Sequence, residues 1–461
     1  MTQDAAAPDI YIPGTHQIDP HRLAWGVLLI AFAIFCVIAA AVIIGIDYFL
    51  FQSTVPLRSI LNSGRGTVGI MELANPIPQV GQNGALLPKG IVVSTDPQSQ
   101  GTLQFVDSEG ADTFIASVTL HNNSVLTLRE ASRPRFDWSR TRHNIDLINV
   151  RGKVSVDIAE IPGLDVLVRV ETPAGAIIHL EGAGQYIITS MPSQLNVINR
   201  EGRATFIPPD RRQGHSVPDD GLGIIYYDDN TVEQRSGYVD LLVDRKFRRL
   251  RTDGEGAAQQ VWVCSNAPGD DPPGRYGFVS MQGLMPLHLV REDNATTHGE
   301  TSCIQSFGQA GLDIQAAGLN HLALRATFHI QSHSLDACGT QGSECPLMLR
   351  MDYIDANGEG QRWYHGFYTR EASPQSNFPQ RCASCIQDHE LINANAWYTY
   401  ESPNLMTLLN TESTTPPISI VGIWFYASGH QYDVRIDEVA LLGARLDIVD
   451  STAGDSSVPP A

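Results

Sequence analysis

Seven cysteines occur in this chain of 461 residues, and six of them lie beyond residue 263: Cys264, Cys303, Cys338, Cys345, Cys382 and Cys385. Two pairs are close in sequence, CGTQGSEC at 338–345 and CASC at 382–385. Close cysteine pairs can hold zinc or form disulfides. The zinc reading needs Cys338, Cys345, Cys382 and Cys385 as ligands, but the first pair is spaced more widely than the usual two-to-four-residue knuckle. An even, clustered set fits a disulfide framework better. The arrangement expected is Cys264 with Cys303, plus two bridges drawn from the CGTQGSEC and CASC loops, with structural zinc and free thiols as the alternatives. The seventh, Cys36, lies in an apolar run, where a thiol behaves as a small hydrophobe.

Other residues could do chemistry. DANGEG at 355–360 places Asp355, Asn357 and Glu359 at alternate positions, as a calcium loop begins. The twelfth position is Gly366 rather than the bidentate Glu of an EF-hand, so a hairpin turn is expected. A structural Ca2+ elsewhere in the C-terminal region is left open. His329 and His333 share the parity of a strand face, with no third ligand evident. Asp388, His389 and Glu390 form a polar cluster beside CASC. The aromatic-rich strands offer Trp363, Tyr364, Tyr368, Trp397 and Tyr400 as candidate ligand-binding rings, within a set that also includes Phe367, Tyr398, Trp424 and Tyr426. Such rings stack on sugar faces, although strand aromatics more often fill cores. No nucleophile elbow, HExxH, P-loop or dinucleotide fingerprint is present, so no catalytic residue and no enzyme is expected.

The elements that would carry these residues begin with Leu23–Ile46, LAWGVLLIAFAIFCVIAAAVIIGI, which has no charge. At 1.5 Å per residue this run is about 36 Å long, enough to span a bilayer. Trp25 stands near one end and Tyr48 and Phe49 near the other, as interfacial anchors do. The run is too long for a signal-peptide core, and IDYFLF is a poor cleavage site. A retained span over 23–50 is therefore expected. Arg22 before it and Arg58 and Arg65 after it lean weakly toward an external N-terminus. The disulfide reading requires the opposite, with residues 1–22 cytoplasmic and the bulk of the chain extracytoplasmic.

Composition allows packed cores: 43% of residues are hydrophobic and 18% charged. The net charge of −19 argues against nucleic acid and against docking on anionic lipid. After a stalk at 51–65, residues 66–246 read as short strands with turn signals and no helical periodicity. RKFRRLR and SNAPGDDPPGR mark a linker at 247–274. Strands resume over 275–445, and 446–461 reads as a disordered tail. ISIVGIWFYAS, at 418–428, is too short to span and reads as a strand.

Several pieces of the first β region resemble a FecR-type domain, an extracytoplasmic β module: LPKGIVVSTDPQSQGTLQF, HNNSVLTL, LINVRGKVSVDI and VRVETPAGAIIHLEGAGQYII, with the echo LNVINREGRATF. Gly90, Thr95, Ser99 and Leu103 fit the first part of the pattern, and Thr172, Pro173, Ala174, Gly184 and Tyr186 the second. Physically, Pro173 and Gly175 turn the chain, Gly184 permits close backbone approach, and Tyr186 fills the core. The best-known members relay a surface signal to a sigma factor through a cytoplasmic domain of several tens of residues; here 22 residues precede the apolar run. The closing strands, ending DVRIDEVALLG, are similar to jelly-roll modules of the carbohydrate- or galactose-binding type.

The expectation is a mainly β protein: one N-terminal transmembrane helix, a FecR-like β domain and a C-terminal jelly-roll-like β-sandwich. It would sit in the cell membrane as a single-pass protein and bind a glycan or envelope protein, or act as a scaffold. Transmembrane signalling is the alternative, and a glycan-active hydrolase a remoter one. Oligomeric state is not legible.

Overall fold

The computed structural model describes residues 20–73, 75–107, 112–209, 213–250, 261–292, 294–373, 376, 378–411 and 414–445. Most of the expected cytoplasmic tail, ten residues of the expected linker and the expected C-terminal tail lie outside these. The chain is mainly β, with one N-terminal apolar helix and several sheets. Two compact units are present. One comprises the chain up to Val55 together with Pro134–Thr141; the other holds the remaining residues.

In the first unit a helix runs over Pro20–Asp47 and ends in a π-helical turn, Tyr48–Gln52. Among the described residues it is one helix long and apolar enough to cross a membrane, and none of its most apolar window is buried.

The second unit has two main cores. The first is built on a fifteen-stranded sheet whose longest strands are His143–Ile158, Ile177–Ser190 and Gln194–Ile207. Alternation places one face of each inward: Val154, Val156, Ile188, Leu195 and Val197 are buried in one cluster. Gly184 shows why a side chain is excluded at one crossing, because a Cβ there would overlap the Glu201 carbonyl and the Tyr186 hydroxyl. That hydroxyl accepts from the Arg203 N–H at 3.1 Å, which satisfies a ring only 1% exposed.

The second core lies between two sheets of a sandwich. One sheet runs in the order Arg275–Phe278, Leu287–Arg291, Tyr432–Ala444, His321–His333, Trp397–Glu401. The other runs Val263–Asn266, Gly299–Ser306, Pro417–Gly429, Leu347–Asp355, Gly360–Tyr368, Glu390–Leu391. Odd-numbered residues of the Leu347–Asp355 strand (Leu347, Leu349, Met351, Tyr353) face the core, and the even ones face outward. The sandwich draws on residues earlier than 275. Val239–Asp240 pairs with the Tyr432–Ala444 strand, and Val263–Asn266 is a strand inside the expected linker. Phe247 and Trp262 pack on Phe425 at 5.2 Å each, so this polar-looking stretch is pinned by its few aromatics.

The two cores meet along a charged seam. Glu438, 2% exposed, accepts from Gln185 Nε2 at 2.8 Å and faces Arg200 at 3.6 Å and Arg245 at 3.7 Å. Arg325 faces Asp157 at 3.6 Å, and Lys153 pairs with Glu401 at 2.8 Å. Gln100 clasps the backbone of Thr399 from both sides, at 2.7 and 2.8 Å. The longer pairings suit bridging by water better than direct hydrogen bonds.

Burial alone would push the Glu401 carboxyl up, but Lys153, Arg325 and His121 hold it down at about 2. Glu438 is likewise lowered, by Arg325, Arg200, Lys246 and Arg245 against its own burial. A carboxyl depressed in the folded state stabilises above its unfolded pKa, about 4.3, and that contribution disappears as pH falls through the folded value. Urea midpoints are therefore expected to drop between about pH 4.5 and pH 2. Glu401→Gln should flatten this dependence, and an unchanged acid limb would contradict the assignment.

Candidate functional site

The outward face of the sheet containing Gly360–Tyr368, Leu347–Asp355 and Pro417–Gly429 carries a row of rings around one arginine. Register puts Arg350 directly across from Tyr364 on one side and from Trp424 on the other. The row continues through Ile304 to Val263 on the next two strands. Five strands at about 4.8 Å spacing make it roughly 19 Å long. Tyr364, Trp424 and Tyr426 are half-buried, so each keeps part of a ring in solvent.

Local sequence explains the geometry. In VGIWFYAS, Ile423, Phe425 and Ala427 are buried, so Trp424 and Tyr426 must point out. Gly422, two residues before Trp424, lets the indole lie against the strand: a Cβ there would come within 2.9 Å of the six-membered ring. The Arg350 guanidinium stacks on this indole at 4.3 Å from its centroid and reaches Tyr364 at 5.9 Å. Asp352 grips the same guanidinium bidentately, Nε to Oδ1 at 2.6 Å and Nη2 to Oδ2 at 2.5 Å. Arg362 lies across from Asp352 and is mostly exposed. Glu300 borders the row; burial pushes its carboxyl up, against the pull of His298 and Arg350. Burial, with Glu300 and Tyr364 nearby, also pushes the Tyr426 hydroxyl up, so it remains a neutral donor.

Of three disulfides, Cys338–Cys345 closes one end of this face, while Cys264–Cys303 lies in the sandwich core. The pairs are Cys264–Cys303, Cys338–Cys345 and Cys382–Cys385, and Cys36 is free. Tyr364 and Tyr426 pack against the small cluster of Ala337, Cys338, Cys345, Met348 and Tyr368. Glu344, in the same loop, binds His298 Nδ1 at 2.7 Å. His389 stands within reach of both the 338–345 and the 382–385 sulfurs. Its Nδ1 accepts from the Gly366 N–H at 2.8 Å, which leaves Nε2 to donate to the Gly342 carbonyl at 2.7 Å. Both nitrogens are engaged and burial holds the ring at about 4, so it is a neutral tie between loops. With the sulfurs bonded in pairs, the thiolates that zinc needs are not free. Alkylation of the denatured chain should label Cys36 alone before reduction and all seven cysteines after it. Full labelling without reductant would overturn the pairing. Loss of one bridge, by Cys264→Ser with Cys303→Ser, is expected to cost about 2–5 kcal/mol.

The aromatics singled out by sequence fare unevenly. Trp363 is fully buried in the sandwich core. Tyr400 stacks on His365 at 4.7 Å within the fold, and Tyr368 is buried beside the disulfide loop. Trp397 is 4% exposed and donates from Nε1 to Gln282. None of these four presents a ring to a ligand, because strand alternation, the disulfide loop or the seam covers them. Tyr364 alone of the five lies on the open row. Trp424 and Tyr426 were within the wider aromatic set, and their parity against the Ile423/Phe425/Ala427 stripe is the signal that distinguishes them. Asp355 accepts from the N–H groups of Asn357 and Glu359 at 2.9 Å each, so DANGEG is a hairpin turn whose carboxylate binds backbone. His329 and His333 are buried on a strand with a register irregularity between Ile330 and Ser332. Glu390, in the polar cluster, is engaged by Arg65 at 2.9 Å and by the Tyr398 hydroxyl at 2.6 Å.

No family model matches the chain, and no curated protein matches it. Among solved structures, an inferred anti-sigma factor from Parabacteroides distasonis ATCC 8503 is 13% identical over 32% of this chain, with a TM-score of 0.23. The chain spans 59% of that protein's length. The family 11 carbohydrate-binding module of the cellulase Lic26A-Cel5E from Clostridium thermocellum is 14% identical over 42% of this chain and 92% of its own, also at 0.23. TmCBM61, solved with β-1,4-galactotriose, is 10% identical over 44% of this chain and 99% of its own, at 0.23. Likeness at this level assigns neither family nor ligand.

Proposed function

We propose that this is a single-pass, membrane-anchored binding protein whose sandwich recognises an extended glycan along the Tyr364–Arg350–Trp424 row. The observation that carries the reading is that row itself: partly exposed rings on adjacent strands, with an arginine held flat between them by Asp352. The C–H faces of sugar rings are weakly positive and match the negative faces of aromatic rings. Asp352, Arg362 and Glu300 supply acceptors and donors for hydroxyls at the margin. An open face of this kind suits binding along a polymer rather than cleavage, so the chain is read as a binding protein and not an enzyme. Three disulfides favour an oxidising compartment for the sandwich. The apolar helix then serves as the anchor, with its N-terminal flank in the cytoplasm.

The FecR-type resemblance of the first β region favours a second reading, transmembrane signalling. It predicts a cytoplasmic partner for residues 1–22 and a phenotype when they are deleted. The glycan reading is tested with the oxidised full chain in nanodiscs on a glycan array. Binding to extended oligosaccharides, weakening as the chain length of the glycan falls, is the expected result. An array silent throughout, or release of reducing ends from the bound glycan, would count against it.

A further inference from the structure

Beside the end of the apolar helix lies a second apolar feature. The segment 134–141, PRFDWSRT, belongs to the same compact unit as the helix. Backbone bonds fasten it there: the Arg140 N–H donates to the Phe51 carbonyl at 2.8 Å, and the Arg135 N–H to the Ser53 carbonyl at 3.1 Å. Arg135 Nε donates to Ser53 Oγ at 3.0 Å. Rings and cations interleave: Phe136 meets Phe49 edge-on at 5.7 Å, Arg135 lies over Phe49 at 5.2 Å, and Arg140 lies over Phe51 at 5.0 Å. Outermost is Trp138, stacked coplanar on Phe136 at 4.9 Å and 62% exposed. A tryptophan so fastened and so exposed is unusual on a surface meant for water alone.

The helix sets the depth. Its 28 residues measure about 42 Å, against a hydrocarbon layer of about 30 Å. With the uncharged run centred, Asp47 and the Tyr48–Gln52 turn fall in the headgroup zone. The segment bonded to residues 51 and 53 shares that depth. Indole prefers this zone because its ring is apolar and its N–H needs a polar neighbour. Arginine suits it as well, with its stem among acyl carbons and its guanidinium among phosphates.

We propose that residues 134–141 form a membrane-interface foot, with Phe136 and Trp138 immersed at the headgroup–acyl boundary and Arg135 and Arg140 among the headgroups. The partner is the bilayer itself. This rests on reading the helix as a span, and Trp25, near the helix's other end, allows the two to be separated. The full chain is placed in phosphatidylcholine nanodiscs with or without shallow brominated lipid. Subtracting Trp138→Phe from the wild type isolates the emission of Trp138, and subtracting Trp25→Phe isolates that of Trp25. The expected result is that both components are blue-shifted and lose most of their intensity to bromine. Quenching of Trp25 alone, with Trp138 responsive to iodide in water, overturns the foot and leaves the span intact. Trp138 shielded from both quenchers means a protein covers it, which also overturns the proposal. Quenching of neither component removes the span and the foot together.

Discussion

Glu438→Ala is expected to destabilise the chain by about 3–5 kcal/mol, the usual cost of removing one partner from a buried ion pair. Glu438 is the hub of the seam: Gln185, Arg200 and Arg245 all converge on it, and Arg325 is close enough to lower its pKa. Arg200 and Arg325 keep only 1% and 2% of their side chains exposed, so losing the carboxylate leaves two desolvated cations each short of one anion. Arg200 would retain only Asp240, at 3.6 Å, whose own carboxyl is pushed up by burial to about 6. Glu438→Gln keeps the shape but not the charge and should also be costly. Replacing the pair together, Arg200→Met with Glu438→Leu, should recover only the share due to Arg200, since Gln185, Arg245 and Arg325 still lose their partner. Urea unfolding followed by tryptophan fluorescence reads all three. The seam joins two separate hydrophobic cores, so its failure should also split one cooperative transition into two. A change below about 1 kcal/mol for Glu438→Ala would show that the two cores do not depend on this junction.

Trp424→Ala should do the reverse, costing little stability and removing ligand binding. The indole is partly exposed, and its inward neighbours Ile423 and Phe425 keep the core closed without it. Central aromatic and arginine anchors dominate binding faces, so at least a tenfold loss of glycan affinity is expected, about 1.4 kcal/mol or more. Arg350→Lys should weaken binding too, because an ammonium neither stacks on the indole nor takes the Asp352 carboxylate in a fork. Trp363→Ala is the contrasting control. That ring fills the core, and its removal is expected to cost about 3–5 kcal/mol through the cavity left behind. Affinity electrophoresis in glycan-containing gels, beside thermal melts, separates the two kinds of loss.

Where the local signal was clean, sequence reasoning reached the structure. The Leu23–Ile46 run is helical, ISIVGIWFYAS lies in a strand, DANGEG turns a hairpin, and Gly184 admits Tyr186 as its neighbourhood suggested. The beginning of the sandwich was less visible. Phe247, Leu250 and Trp262 lie within a charged, glycine-bearing stretch, and only their long-range packing, Phe247 and Trp262 against Phe425, shows that they are core. The seam was invisible for a related reason. Asp157, Arg200, Arg325 and Glu438 read individually as solvated charges, and their pairing spans separations that no local pattern encodes. Trp397 was offered as a ligand-facing ring and instead meets Gln282, because the face of its strand is covered within the chain. Counting aromatics found the right strands, but choosing among them needed the parity of each strand and the knowledge of which sheet face stays open.

The measurement that bears most directly on the binding face is hydroxyl-radical footprinting of the oxidised full chain, with and without a saturating glycan selected on the array. Protection should centre on Tyr364, Trp424 and Tyr426, while Trp138 reacts equally in both samples. Protection falling on other aromatics with this row unchanged would place the ligand elsewhere and remove the proposed role of the Arg350 row.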